Sequence, residues 1–207
     1  MDAPASLAFL RRALAAPWGP SSDHDLNDDL GDGPAADPPR PPARELRPAA
    51  ILVAVDLSGP VASLLLTKRS AHLRHHPGQV ACPGGRLEPG EDAVAAALRE
   101  AGEEVGLPSG AAEVLGSFGP HETVTGFSVT AVVAALRAPV AWVAEAREVE
   151  EVFTIPLAHA ADLRNYRVEG RVWGGRMRRY WVLPHGPRYV WGATARMQRV
   201  LAERGAA

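Results

Sequence analysis

Three glutamates, Glu100, Glu103 and Glu104, crowd the end of a stretch from 91 to 105 whose pattern is helical. Glu100 and Glu104 are four apart, so a helix stacks them on a single flank with Glu103 beside them. Like charges at that spacing repel by ~0.2–0.5 kcal/mol per pair. Carboxylates near the C-terminal end of a helix also oppose its dipole. A helix shaped for stability alone would not carry them. A hard divalent cation removes the conflict, because Mg²⁺ and Mn²⁺ prefer oxygen ligands. Mg²⁺ usually binds one or two carboxylates and shares its other positions with water and substrate phosphates. The competing reading is a solvated acidic face offset by Arg99, which can pair with Glu103 at four residues. Taken alone, the three residues leave both readings open.

The elements around them must hold such a flank in place. Val94, Leu98, Ala101 and Val105 fall at offsets of four, seven and eleven and predict an apolar stripe lying on a sheet. Gly106 sits where a helix C-cap belongs. Ahead of the helix, Cys82-Pro83-Gly84-Gly85 supplies glycines whose backbone can adopt shapes closed to other residues. Strands are predicted at 51–55 and 62–66 around a Ser58-Gly59-Pro60 turn, then at 113–118, 127–136, 149–155, 172–173 and 180–183. A last helix is predicted at 193–203. Strands before and after one central helix, with more helix at the end, indicate a mixed α/β sandwich.

The first 48 residues read differently. Residues 5–16 pattern as a short amphipathic helix, with Leu7, Leu10 and Leu14 on one stripe, docked on the domain. From Trp18 to Pro48, Asp23, Asp25, Asp28, Asp29 and Asp32 precede a run of prolines, with few apolar residues between. Such a stretch predicts a flexible linker, and its acidic cluster a solvated tail. The division expected is 1–48 as helix and linker, and 49–207 as the functional domain.

Composition narrows the class. Hydrophobic residues at 46 % and charged residues at 22 % fit a soluble globular chain. A net charge of −2 gives no reason to expect nucleic acid or an anionic membrane as partner, so any anion site must be built locally. The single cysteine, Cys82, excludes an intrachain disulfide and a multi-cysteine zinc site, in keeping with a reducing cytoplasm. No apolar run approaches the roughly 20 residues of a membrane span, and the N-terminus lacks the basic-then-apolar order of a signal peptide.

Gly85, Glu91 and the run Arg99-Glu100-Ala101-Gly102-Glu103-Glu104-Val105-Gly106-Leu107 resemble the Nudix box at every specified position. The resemblance implies an α/β/α sandwich with a mixed sheet, in which a loop-helix-loop presents a metal, Mg²⁺ or Mn²⁺. It implies Glu100 and Glu104 as principal ligands, Glu103 contributing directly or through water, and the Gly84 carbonyl joining them. Glu91 and Arg99 become supporting residues. Metal ions on phosphate oxygens neutralise charge as an anhydride bond breaks and activate an attacking water. A base must still take that water's proton. A crowded helix carboxylate can serve, and in many family members a glutamate on a later loop does. In the segment 148–153 the candidate is Glu148, whose other reading is a surface acid at a strand edge.

Upstream, Leu65-Leu66-Thr67-Lys68-Arg69-Ser70, Arg74, Gly78 and Cys82-Pro83-Gly84-Gly85 resemble the signature of the coenzyme A pyrophosphatase branch. One position departs: Cys82 stands where phenylalanine is usual. The likeness runs on through Thr123–Phe127 to Tyr189-Val190-Trp191-Gly192, and so covers nearly everything after about Ala49. It implies CoA or acyl-CoA as substrate, with Arg69, Arg74 and Gln79 meeting its phosphates. Lys68, His75 and His76 add donors to the same loop. The products implied are 3′,5′-ADP and 4′-phosphopantetheine or its acyl form. Other nucleoside diphosphate derivatives, such as ADP-ribose or NADH, are the alternative substrates, and a ligand-sensing module without catalysis is the alternative class. A homodimer is left open. Cys82 itself reads as a small buried residue, since attack by water needs no covalent nucleophile.

Overall fold

The computed structural model describes residues 1–15, 17–27, 45–73, 76–173 and 175–206. In chain order these form α1 (Ala3–Ala15), β1 (Ser21–Ser22), β2 (Arg47–Asp56), β3 (Ser63–Arg69), β4 (Val80–Ala81), β5 (Gly84–Arg86), α2 (Ala93–Val105), β6 (Ala112–Glu122) and β7 (Phe127–Leu136). There follow β8 (Val149–Pro156), α3 (Leu157–Ala161), a 3₁₀ turn (Leu163–Asn165), β9 (Arg167–Trp173), β10 (Arg176–His185), β11 (Arg188–Trp191) and α4 (Gly192–Ala206).

Among the described residues the strands run β1-β6-β7-β2-β3-β4-β11-β10-β9, with β5 joined to β2 and β8 to β3. β2 lies parallel to β7, and β4 parallel to β11. β2 is antiparallel to β3, and β6 to β7, so the sheet is mixed. Its central strands are apolar on both faces, which a sheet covered by helices on each side requires. Along β2, Ala50, Leu52 and Ala54 pack with α2, while Ala49, Val53 and Val55 join the opposite core with α1 and α4. In β7 the same alternation puts Val132, Ala134 and Leu136 towards α2 and Val129, Ala131, Val133 and Ala135 towards the other side. The expected α/β sandwich is what forms.

Two expectations change. The wholly buried face of α2 is not Val94, Leu98, Ala101 and Val105 but Ala96, Ala97, Ala101, Glu104 and Val105; Val94 and Leu98 are only half-buried. Alanines are narrow enough to let the helix settle closely on β2 and β7, and this rotation carries Glu104 into the interior. α1 docks on the domain, as its pattern predicts, burying Phe9, Leu10 and Ala13 against α4, where a Cβ on Gly205 would overlap the Phe9 ring. The second change comes directly after it in the chain.

Residues 17–27 do not behave as a flexible linker. Trp18 stacks on Phe118 with ring centroids 3.8 Å apart, and Ser21–Ser22 adds a parallel strand to β6. Asp23 is no solvated acid: its carboxylate meets His121 Nε2 at 3.1 Å and accepts from the Val124 N–H at 3.1 Å. Tertiary partners distant in sequence order this stretch, which its own composition does not reveal. The rest of the acidic and proline-rich segment, 28–44, lies outside the described residues.

Candidate active site

α2 begins where the Asp92 side chain accepts from the Ala95 N–H at 2.8 Å. It ends at Gly106, whose left-handed φ of 69° lets the chain reverse. The N–H groups of Gly106 and Leu107 close on the carbonyls of Gly102 and Ala101 at 3.1 and 3.2 Å. The reversal is packed: Val143 covers Gly106, and the Glu145 N–H donates to the Glu104 carbonyl at 2.9 Å. The segment leading into β8 is thereby fastened to the acidic end of the helix.

The three helix glutamates have different surroundings. Glu104 is 4 % exposed. It accepts from the Gly84 N–H at 3.2 Å and faces Arg69 Nη1 at 3.7 Å. Burial pushes its carboxyl up to about 7, against the opposing pull of the Gly84 N–H and Arg69, while the charges of Glu100 and Glu148 add to the rise. Glu100 is half-buried and also raised, by burial first, with Arg99 opposing and Glu103 and Glu148 adding. Glu103 is exposed.

Arg99 organises this group as a planar five-donor fork. It reaches Glu91 through Nε at 2.9 Å and Nη2 at 3.1 Å, and through Nη1 it meets Glu100 and Glu103, each at 3.1 Å. Nη2 also donates to the Arg86 carbonyl at 3.1 Å. The guanidinium holds the Glu91 carboxyl below its usual range, helped by the Glu88 N–H. Helix, loop and β5 are thus tied at one side chain. Gly84 has to be glycine here, since a Cβ would run into the Ala50 carbonyl and Ile51; on Gly85 a Cβ would displace the Glu100 carboxylate.

Glu100, Glu103 and Glu148 line one cleft of about 220 Å³ together with Glu145 and Arg147. Glu148 is exposed at its rim, and its backbone carbonyl accepts from the Ser70 N–H at 2.8 Å. The structure therefore brings Glu100, Glu103, Glu104, Glu148, Gly84 and Arg69 into one neighbourhood. Gln79 is linked to Arg69 through its backbone carbonyl, which accepts the Arg69 N–H at 2.9 Å. Lys68 is drawn to Glu150 at 2.6 Å. Arg74 and His75 lie outside the described residues. Glu145 and Arg147 were not singled out from sequence; the only available signal was their place in the acidic approach to β8. Cys82 is buried against Gln198, whose Nε2 lies 3.8 Å from Sγ, and burial pushes the thiol up to about 12.

The donor set suits a hard divalent cation. Among the described residues no three His, Cys, Asp or Glu side chains enclose a ready-made cage. Mg²⁺ needs only one or two carboxylates beside water and phosphate oxygens. Glu104 and Glu100 could supply these: the charge of Glu100 adds to the rise of Glu104, and those of Glu103 and Glu148 to the rise of Glu100, a repulsion that a cation would relieve.

Comparison with known proteins agrees with this architecture. A model of the NUDIX domain matches residues 45–172. A Salmonella paratyphi B protein named as an uncharacterized Nudix hydrolase, NudL, is 44 % identical over 157 residues, covering 75 % of this chain and 81 % of its own. The crystal structure of a Nudix hydrolase from M. smegmatis, RenU, is 29 % identical with a TM-score of 0.49, covering 56 % of this chain and 74 % of its own. A C. elegans Ap4A hydrolase is 23 % identical with a TM-score of 0.45, covering 53 % of this chain and 80 % of its own. The NUDIX match, over more than half of the chain, and the likeness to NudL show a hydrolase of the pyrophosphohydrolase class. The chain belongs to the Nudix family; it is a Nudix hydrolase, and members of that family generally work with divalent metal ions. No helix among the described residues is long and apolar enough to cross a membrane.

Proposed function

We propose that this Nudix hydrolase cleaves the pyrophosphate of coenzyme A or acyl-CoA, releasing 3′,5′-ADP and 4′-phosphopantetheine or its acyl form. The observation that carries the reading is Arg69 beside Glu104 at 3.7 Å. It ties the upstream segment 65–85, with its likeness to CoA pyrophosphatases, to the carboxylates of the Nudix helix.

In this reading Glu100 and Glu104 hold Mg²⁺ or Mn²⁺, with Glu103 and the Gly84 carbonyl in support. When bound, the cation neutralises phosphate charge and polarises the attacking water. Glu104 must lose its proton to take part; burial holds that proton until the pH nears 7 in the metal-free protein, and it would leave at lower pH with a cation bound. Arg99 fixes Glu100 and Glu103 at the helix end, so little reorganisation is needed when substrate arrives. Arg69 donates Nη protons to a pyrophosphate oxygen, a pairing that suits its guanidinium. Glu148, on the cleft rim, accepts the proton of the attacking water at a carboxylate oxygen.

The test is a comparison of kcat/KM for CoA, ADP-ribose and NADH with Mg²⁺ or Mn²⁺ present, products being separated by chromatography. CoA is expected to be the fastest of the three, giving 3′,5′-ADP. Faster cleavage of ADP-ribose or NADH would refute the CoA assignment and leave the hydrolase class standing.

A further inference from the structure

The strand order ends differently on its two sides. At one end β1 is only two residues long, Ser21–Ser22. At the other end β9 runs seven residues, Arg167–Trp173, and among the described residues it pairs with β10 alone. The β9–β10 register continues unbroken from Arg167 opposite Val182 to Trp173 opposite Arg176. No proline interrupts it. Folded chains usually shorten, bulge or break such an edge, because its outward N–H and C=O groups form a template for another strand. This edge also holds apolar side chains in water: Val168, Val172 and Trp173 are 43, 61 and 57 % exposed.

Its residue order is complementary to itself. Two copies of a strand related by a two-fold axis normal to the sheet run antiparallel, and the residues that meet lie on the same face. With the axis at Gly170, Glu169 of each copy meets Arg171 of the other, Val168 meets Val172, and Arg167 meets Trp173. The charged pairs are then of opposite sign, the apolar pairs are β-branched, and each Arg167 guanidinium faces an indole. Other registers do worse. An axis at Glu169 sets that residue against its own copy and Arg167 against Arg171. An axis at Arg171 sets the arginine against itself. Axes at Val168 or Val172 avoid like charges but engage three residues of the strand instead of seven.

The local structure suits the central register. Gly170 is exposed, and the lack of a side chain lets a second backbone approach closely. On its own sheet a Cβ there would meet Met177 Sδ at 2.9 Å. Glu169 is held in place by Arg167 Nε, 2.7 Å from Oε1, and by the Tyr189 hydroxyl, which donates to Oε2. A carboxylate offers about four lone-pair sites, so an arginine from outside can still bond to it. Arg171 is exposed and lies 5.9 Å from the Trp173 ring.

We propose that a second copy of this chain occupies the edge: β9 pairs antiparallel with β9 of the other copy about a two-fold axis at Gly170, and the two sheets become one.

The experiment is sedimentation velocity of the full-length protein over a series of concentrations. Wild type should pass from monomer to dimer as concentration rises. Glu169→Arg and Arg171→Glu each set like charges opposite one another twice, and each should weaken the dimer by about tenfold or more. An equimolar mixture of these two variants should dimerise again, because each then offers the charge the other lacks. The double variant Glu169→Arg/Arg171→Glu should also recover the dimer. Circular dichroism should be native throughout. Recovery in the mixture cannot come from a variant that merely fails to fold. A monomer at every concentration would overturn the proposal, as would a dimer that neither single variant weakens. A mixture that dimerises no better than either variant alone would overturn it too.

Discussion

Glu104→Gln should make the metal-free protein more stable at alkaline pH while abolishing its activity. The wild-type carboxyl is raised by burial to about 7 from the usual 4.5. A carboxyl whose folded pKa lies above its unfolded one takes up a proton on folding. Its contribution is therefore intact below about pH 4.5 and is lost as the pH rises through about 7. At ~1.4 kcal/mol per pH unit, that interval corresponds to about 3 kcal/mol. Glutamine keeps the shape and an acceptor for the Gly84 N–H but cannot ionise, so it escapes the penalty. Urea unfolding of both proteins in EDTA, at several values between pH 5 and 8.5, measures the difference directly. The stability of the variant relative to wild type should climb by about 2–3 kcal/mol across that range. Mg²⁺ added at pH 8.5 should stabilise wild type and not the variant. A relative stability that is flat with pH would refute the reasoning, because it would mean that Glu104 ionises as freely inside the protein as outside.

Other outcomes follow from the same geometry. Arg99→Lys keeps a positive charge but loses the fork that joins Glu91, Glu100, Glu103 and the Arg86 carbonyl. Steady-state kinetics should show kcat down by about tenfold or more, with a higher metal requirement. Gly85→Ala drives a Cβ into the Glu100 carboxylate. Calorimetric titration of Mn²⁺ should show affinity falling sharply while circular dichroism remains native. The Cys82 thiol, pushed up to about 12 by burial, should resist a thiol reagent at pH 8 until urea unfolds the chain. Cys82→Ala should keep most of the activity, and its loss would reinstate a role for the sulfur.

Where one chain segment carries its own instructions, the sequence was informative. The helix end at Gly106, the strand at Phe127–Leu136 and the crowding of Glu100 and Glu104 are legible because capping, alternation and four-residue spacing are local rules. The partition of α2 was not. Val94 and Leu98 are the larger apolar residues, but closeness to the sheet favours the alanines, and the choice is made by what the helix packs on. Ser21–Ser22 becomes a strand because β6 offers an edge, and no property of two serines announces that. Likewise the partnership of Arg69 with Glu104, and of Glu145 and Arg147 with the cleft, joins residues dozens of positions apart.

In the proposed function, Glu100 and Glu104 carry a metal-dependent attack on the pyrophosphate of CoA. The most direct measurement is chromatographic detection of 3′,5′-ADP from CoA and Mg²⁺, using wild type and the double variant Glu100→Gln/Glu104→Gln. Wild type should release it steadily until EDTA is added, and the variant should release none above background. Cleavage by the variant at a rate near wild type would contradict that function and place the chemistry elsewhere in the molecule.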